Sequence, residues 1–86
     1  MEELQSLRNH VDNIDCQILK ALSERVTICQ KIGEYKKQHN LPVEDHVREK
    51  EVFSKIREAA VKFQLEPTQI EKLYREIVNM CIDIQK

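Results

Sequence analysis

The chain has 86 residues, 34% of them charged and 41% apolar, with a single glycine and two prolines. That length allows one domain, residues 1–86, and only a modest core of the kind often supplemented by oligomerisation. A formal net charge of −1 gives no global basic field for nucleic acid or a membrane surface, so any anion site has to be local.

The first predicted helix runs from about Glu3 to about His39, with no proline inside it. Read in sevens, its a and d positions are Leu4, Leu7, Val11, Ile14, Ile18, Ala21, Arg25, Ile28, Ile32 and Tyr35. A pattern sustained over more than four heptads predicts a long helix with coiled-coil-like packing. Arg25 interrupts the apolar seam, and a buried charge is costly unless something pairs with it. Gly33 is the only glycine, and a helical glycine costs about 1 kcal/mol against alanine. It marks a place for close approach of another backbone. The helix would be roughly 54 Å long, whereas a compact monomer of this size is only about 30 Å across. The exposed remainder of the seam calls for a second chain, so the sequence predicts a homodimer.

Asn40-Leu41-Pro42 ends the first helix, because Asn40 tolerates the left-handed cap and Pro42 disfavours a helical Leu41. Asp45 is the expected N-cap of the second helix, which runs from about His46 to Phe63 with an apolar stripe of Phe53, Ile56, Ala60 and Phe63. The carboxylate of Glu49 begins that stripe. After a break at Gln64–Thr68 the third helix opens on Pro67 or on a capping box, Thr68-x-x-Glu71. Its inner face carries Ile70, Leu73, Tyr74, Ile77, Val78, Cys81 and Ile84, and Gln85 closes the stripe with an amide. The fold class is all-α: one long helix and two shorter ones.

Cys16, Cys29 and Cys81 are odd in number and widely spaced, with no C-x-x-C and no Cys/His ligand spacing. Reduced thiols in a cytoplasmic protein, with neither a metal site nor a disulfide framework, are the simplest reading. Cys16 and Cys29 read as packing residues, and His10, His39 and His46 as surface groups. No apolar segment precedes a cleavage site and no run of about 18 apolar residues exists, so neither export nor a membrane span is predicted.

Each helix thus carries a polar residue where spacing predicts core: Arg25, Glu49 and Gln85. Lys36 lies eleven residues after Arg25, within roughly 20° of the same face. Taken singly, each has a plain explanation. Arg25 is equally accounted for by a salt bridge to Glu24 or Glu49, Lys36 by solvation at a helix end, Glu49 by the helix dipole, and Gln85 by fraying. Taken together they outline a pocket with two cations, a carboxylate and an amide, suited to a small dianion or polyhydroxy acid.

The whole arrangement resembles the all-helical chorismate mutase family across essentially the entire chain. The matching pieces are Leu4-x-x-Leu7-Arg8, Ile14-Asp15, Ile18-Leu19, Leu22-Ser23-Glu24-Arg25 and Ile32-Gly33-x-x-Lys36. Pro42-Val43-x-Asp45-x-x-Arg48-Glu49 and Ile77-Val78-x-x-Cys81-x-x-x-Gln85 follow in order. The resemblance implies an intertwined homodimeric helical bundle with two active sites, and a pericyclic conversion of chorismate to prephenate without cofactor or metal. It implies that Arg25 and Arg8 clamp the two substrate carboxylates, with Arg8 donated by the partner subunit. It further implies that Lys36 and Gln85 donate to the ether oxygen, that Glu49 and the backbone near Asp45 hold the ring hydroxyl, and that Arg48 orders the pocket. Helix geometry agrees on one point: Arg8 lies 17 residues from Arg25, about 25 Å along one helix, too far to share one small molecule. At Cys81 the family commonly has serine or another small polar residue that contacts a substrate carboxylate, and a thiol is a weaker donor. An isochorismate–pyruvate lyase on the same fold and a non-catalytic mutase-like dimerisation module are the rival readings. Glu49 argues against the first, and the retained cations with Gln85 against the second.

Overall fold

Local signals set the helices of the computed structural model, which describes residues 1–86: α1 (Glu2–Gln38), α2 (His46–Lys62) and α3 (Pro67–Gln85). At the end of α1, Asn40 takes φ 55°. The Leu41 N–H donates to the Lys36 carbonyl at 2.8 Å and the Asn40 N–H to the Lys37 carbonyl at 3.4 Å. This paired pattern is the Schellman motif, which satisfies carbonyls left open at a helix end. The same motif recurs after α2, where Gln64 takes φ 60° and the Leu65 N–H donates to the Ala60 carbonyl at 2.8 Å. Asp45 caps α2 as expected, accepting from the Arg48 N–H at 3.0 Å. The capping box expected at Thr68 is not used. Glu66 caps α3 instead, accepting from the Gln69 N–H at 2.8 Å. Pro67 explains the change: its fixed φ and missing N–H suit the first helical position, which puts the cap one residue earlier.

Helix α3 lies between the other two. It packs against both α1 and α2, whereas α1 and α2 make no backbone approach to each other. The buried side chains are few: Cys29 from α1, Phe53 and Ala60 from α2, and Val78 from α3. Leu73 and Phe63, expected on inner faces, are 56% and 65% exposed. Leu73 sits at the margin of its stripe, roughly 80° around the helix from Cys81. Phe63 is the C-cap of α2, where helical periodicity has ended.

The molecule measures 57 × 24 × 16 Å, so α1 overhangs the rest. Leu7, Val11, Ile14 and Ile18 of its seam are each more than half exposed. The chain presents 7303 Å² to solvent, against about 5,300 Å² for a compact monomer of its mass. No helix is long and apolar enough to cross a membrane.

One expectation is overturned outright. Cys29 and Cys81 are joined in a disulfide, their Cα atoms 5.5 Å apart, a separation suited to the bond. Only Cys16 remains a free thiol, and it is exposed. A separation of 52 residues hides the pairing in the sequence; the packing of α1 on α3 creates it.

Candidate active site

The polar residues that interrupt the three apolar faces converge. Arg25, Lys36, Asp45, Arg48, Glu49, Cys81 and Gln85 line one cavity of about 420 Å³. Helix α1 supplies the first two, the loop and first turn of α2 the next three, and the last turns of α3 the final two. Apolar walls come from Ile28, Ile32, Val52, Val78 and Ile82, among others. Arg8 is not among the lining residues. It projects from the exposed overhang of α1, about 25 Å from Arg25 along the axis.

Lys36 is the most constrained group. Its Nζ donates to the Val43 carbonyl at 2.6 Å and to Gln85 Oε1 at 2.7 Å. An ammonium only donates, so it must face the amide oxygen, and that fixes the orientation of the Gln85 amide. Gln85 Nε2 then donates to Cys81 Sγ at 3.2 Å. The hydrogen count is informative. Lys36 has three N–H groups with two committed, and Gln85 Nε2 has two with one committed. Each therefore retains one donor. Gly33 makes this arrangement possible: a Cβ built there would stand 3.0 Å from the Gln85 Cα. The close backbone approach anticipated at this glycine is the approach of α3.

Arg25 forms no salt bridge with Glu24 or Glu49. Its one polar side-chain contact is NH1 to Cys29 Sγ at 3.8 Å, so its charge is available to the cavity. Glu49 has its cation elsewhere: Arg75 NH1 donates to Glu49 Oε1 at 3.1 Å. The other oxygen, Oε2, is buried with no hydrogen-bond donor. His46 Nδ1 lies 3.2 Å from it but out of hydrogen-bond alignment, so the oxygen has no matched donor. An unpaired buried acceptor costs about 1–3 kcal/mol, a cost that a donor on a bound molecule would relieve. Arg48 reaches Glu51 at 3.4 Å on the surface, and the Asp45 carboxylate is occupied as the α2 cap.

Sequence reasoning missed Arg75, Cys29 and the Val43 carbonyl. Cys29 stood on the correct helix face but was read as packing alone. Val43 contributes backbone, which composition cannot reveal. Arg75 sits on the flank of an amphipathic helix, 26 residues from the carboxylate it meets.

Comparison with known proteins gives a consistent picture. The family model described as chorismate mutase type II matches residues 7–86. A bifunctional chorismate mutase/prephenate dehydratase from Aquifex aeolicus is 39% identical over the whole of this chain, which spans 25% of that protein's length. A chorismate mutase from Methanocaldococcus jannaschii is 28% identical, again over the whole chain and 87% of the relative. A 4-amino-4-deoxychorismate mutase from Streptomyces pristinaespiralis is 31% identical over 91% of this chain and 60% of its own length.

Proposed function

This chain belongs to the chorismate mutase type II family, and from that premise we propose that it rearranges chorismate to prephenate for phenylalanine and tyrosine synthesis. The observation that carries the reading is the open donor count of Lys36 and Gln85 beside an unpaired Arg25 and a Glu49 oxygen without a donor. A cavity of about 420 Å³ falls within the range of small-molecule sites.

The mechanism follows from what the rearrangement needs. It moves no proton and transfers no electron, so it calls for neither a general base nor a cofactor. It requires a flexible diacid held compact, which is a positioning effect. Arg25 from one chain and Arg8 from a second would each grip a carboxylate, with Arg48 adding to the positive field. The Glu49 carboxylate would accept from the ring hydroxyl, with backbone near Asp45 beside it. As the carbon–oxygen bond stretches, negative charge gathers on the ether oxygen. The remaining donors of Lys36 and Gln85 would meet it there. Donors already locked in place act without reorganisation, and removing one commonly costs about 3–4 kcal/mol. Cys81 stands where a substrate carboxylate would approach; as a disulfide sulfur it has no hydrogen to give.

The second chain is part of the reading. The excess surface is about 2,000 Å² over a compact monomer. Two such faces match the area that obligate dimers bury, and the exposed seam of α1 supplies the apolar contact. An antiparallel copy would bring Arg8 to the partner's Arg25. We read residues 1–86 as one domain working in the cytoplasm.

The direct test is chorismate added to purified protein, with prephenate as the expected product. No turnover sinks the proposal, and pyruvate release from isochorismate would replace it with a lyase. For the shared site, Arg8→Ala and Arg25→Ala homodimers should both be nearly inactive. Heterodimers formed by unfolding and refolding them together should regain one working site of two. Heterodimers without activity would refute the shared site.

A further inference from the structure

Glu49 is a partition between two cavities. On one side it faces the pocket of Arg25, Lys36 and Arg48; on the other it faces a cavity lined by Arg75, Phe53 and His46. We propose that Arg75 is a positioning residue that holds the Glu49 carboxylate at the wall of the pocket and out of its centre. The inference rests on the chorismate mutase reading and deepens it.

The geometry behind it has three parts. Arg75 NH1 donates to Glu49 Oε1 at 3.1 Å, and the Glu49 side chain is only 18% exposed. The Arg75 side chain is 53% exposed, so the pair matters more for where it places the carboxylate than for its own strength. The guanidinium carbon also lies 4.3 Å from the centroid of the Phe53 ring, and Phe53 is buried. Phe53 stands one turn beyond Glu49 on α2. Arg75 therefore reaches from α3 over the ring to the carboxylate, a use of arginine that lysine does not reproduce. Finally, Arg75 does not line the pocket of Arg25 and Lys36. It touches Glu49 from behind.

The charges explain why such a brace is needed. Three cations, Arg25, Lys36 and Arg48, line the pocket beside a flexible carboxylate. Left to itself, Glu49 would swing toward them and form an internal ion pair. That pair would neutralise the charge meant for the substrate's carboxylates, and it would have to break before each binding event. Arg75 removes this competitor by giving Glu49 a better partner outside the pocket. His46 Nδ1, 3.2 Å from Oε2, flanks the carboxylate from the same side.

The effect should fall on substrate capture more than on the chemical step. Arg75→Gln is expected to raise KM about tenfold, the scale of one charge-assisted hydrogen bond, with a smaller change in kcat. Arg75→Lys should fall between this variant and the parent. In a Glu49→Gln background, Arg75→Gln should add no further rise in KM, because no carboxylate is left to collapse. A crystal structure of Arg75→Gln should show Glu49 turned toward Arg25, Lys36 or Arg48, a readout independent of turnover. Unchanged KM, an equal penalty in the Glu49→Gln background, or Glu49 unmoved in the crystal would each overturn the assignment. A parent protein without chorismate turnover would refute the functional reading, and the crystal structure would still judge the brace.

Discussion

Gly33→Ala isolates the contact on which the donor pair depends. The added methyl would meet the Gln85 Cα at 3.0 Å, its Cγ at 3.2 Å and its Cβ at 3.3 Å, where ordinary contact begins at 3.4 Å. Gln85 must therefore recede by about 0.4 Å at its backbone. Alanine favours the helix by about 1 kcal/mol, and overpacking costs about 1–3 kcal/mol. The net loss of stability is then about 0–2 kcal/mol, a fall in Tm of at most roughly 16 °C. Catalysis should suffer more. The Cys29–Cys81 link anchors α3 one turn before Gln85, so the strain concentrates in the last turn. There it stretches the 2.7 Å bond from Lys36. Misplacement by 1 Å can cost about 10²-fold, so a shift of this size should lower kcat about tenfold. Chorismate consumption and thermal unfolding, both at one fixed protein concentration, give the two readings. A variant that keeps kcat within about twofold of the parent would show that the Gly33–Gln85 contact does not set the donor geometry.

Two further outcomes follow. Gln85→Ala should reduce kcat by on the order of 10²-fold, the cost of one preorganised donor, with little change in Tm; a large fall in Tm with turnover retained would make the residue structural. Without reductant, thiol titration of unfolded protein should find one thiol per chain, Cys16, and three after reduction. Reduction should remove about 4 kcal/mol by the loop-entropy argument for a separation of 52 residues, and three thiols without reductant would refute the link.

What the sequence reveals here is what local chemistry controls. Asn40, Pro42 and Asp45 announce one turn because each acts on its own backbone. Gln64 adopts the same left-handed cap with no such preference, since tertiary packing of α2 on α3 decides it. The long seam was readable as apolar, but periodicity does not tell a partner in the same chain from one in another. Arg25, Lys36, Glu49 and Gln85 were visible because they break an apolar stripe. Arg75 was not, because it breaks nothing: a cation on a helix flank is ordinary until the carboxylate opposite is located. The cysteine pair was hidden for the same reason.

The placement of α3 between two helices that do not approach each other has a mechanical consequence. Apart from the short loop that Lys36 holds at the Val43 carbonyl, the cations of α1 and the carboxylate of α2 are set relative to one another through two joints in series, and slack in either joint adds to the other. Each joint carries its own lock. The disulfide and the Gly33–Gln85 approach fasten α1 to α3, and Arg75 over Phe53 fastens α3 to α2. A pocket assembled through such a linkage is only as well aligned as its looser joint.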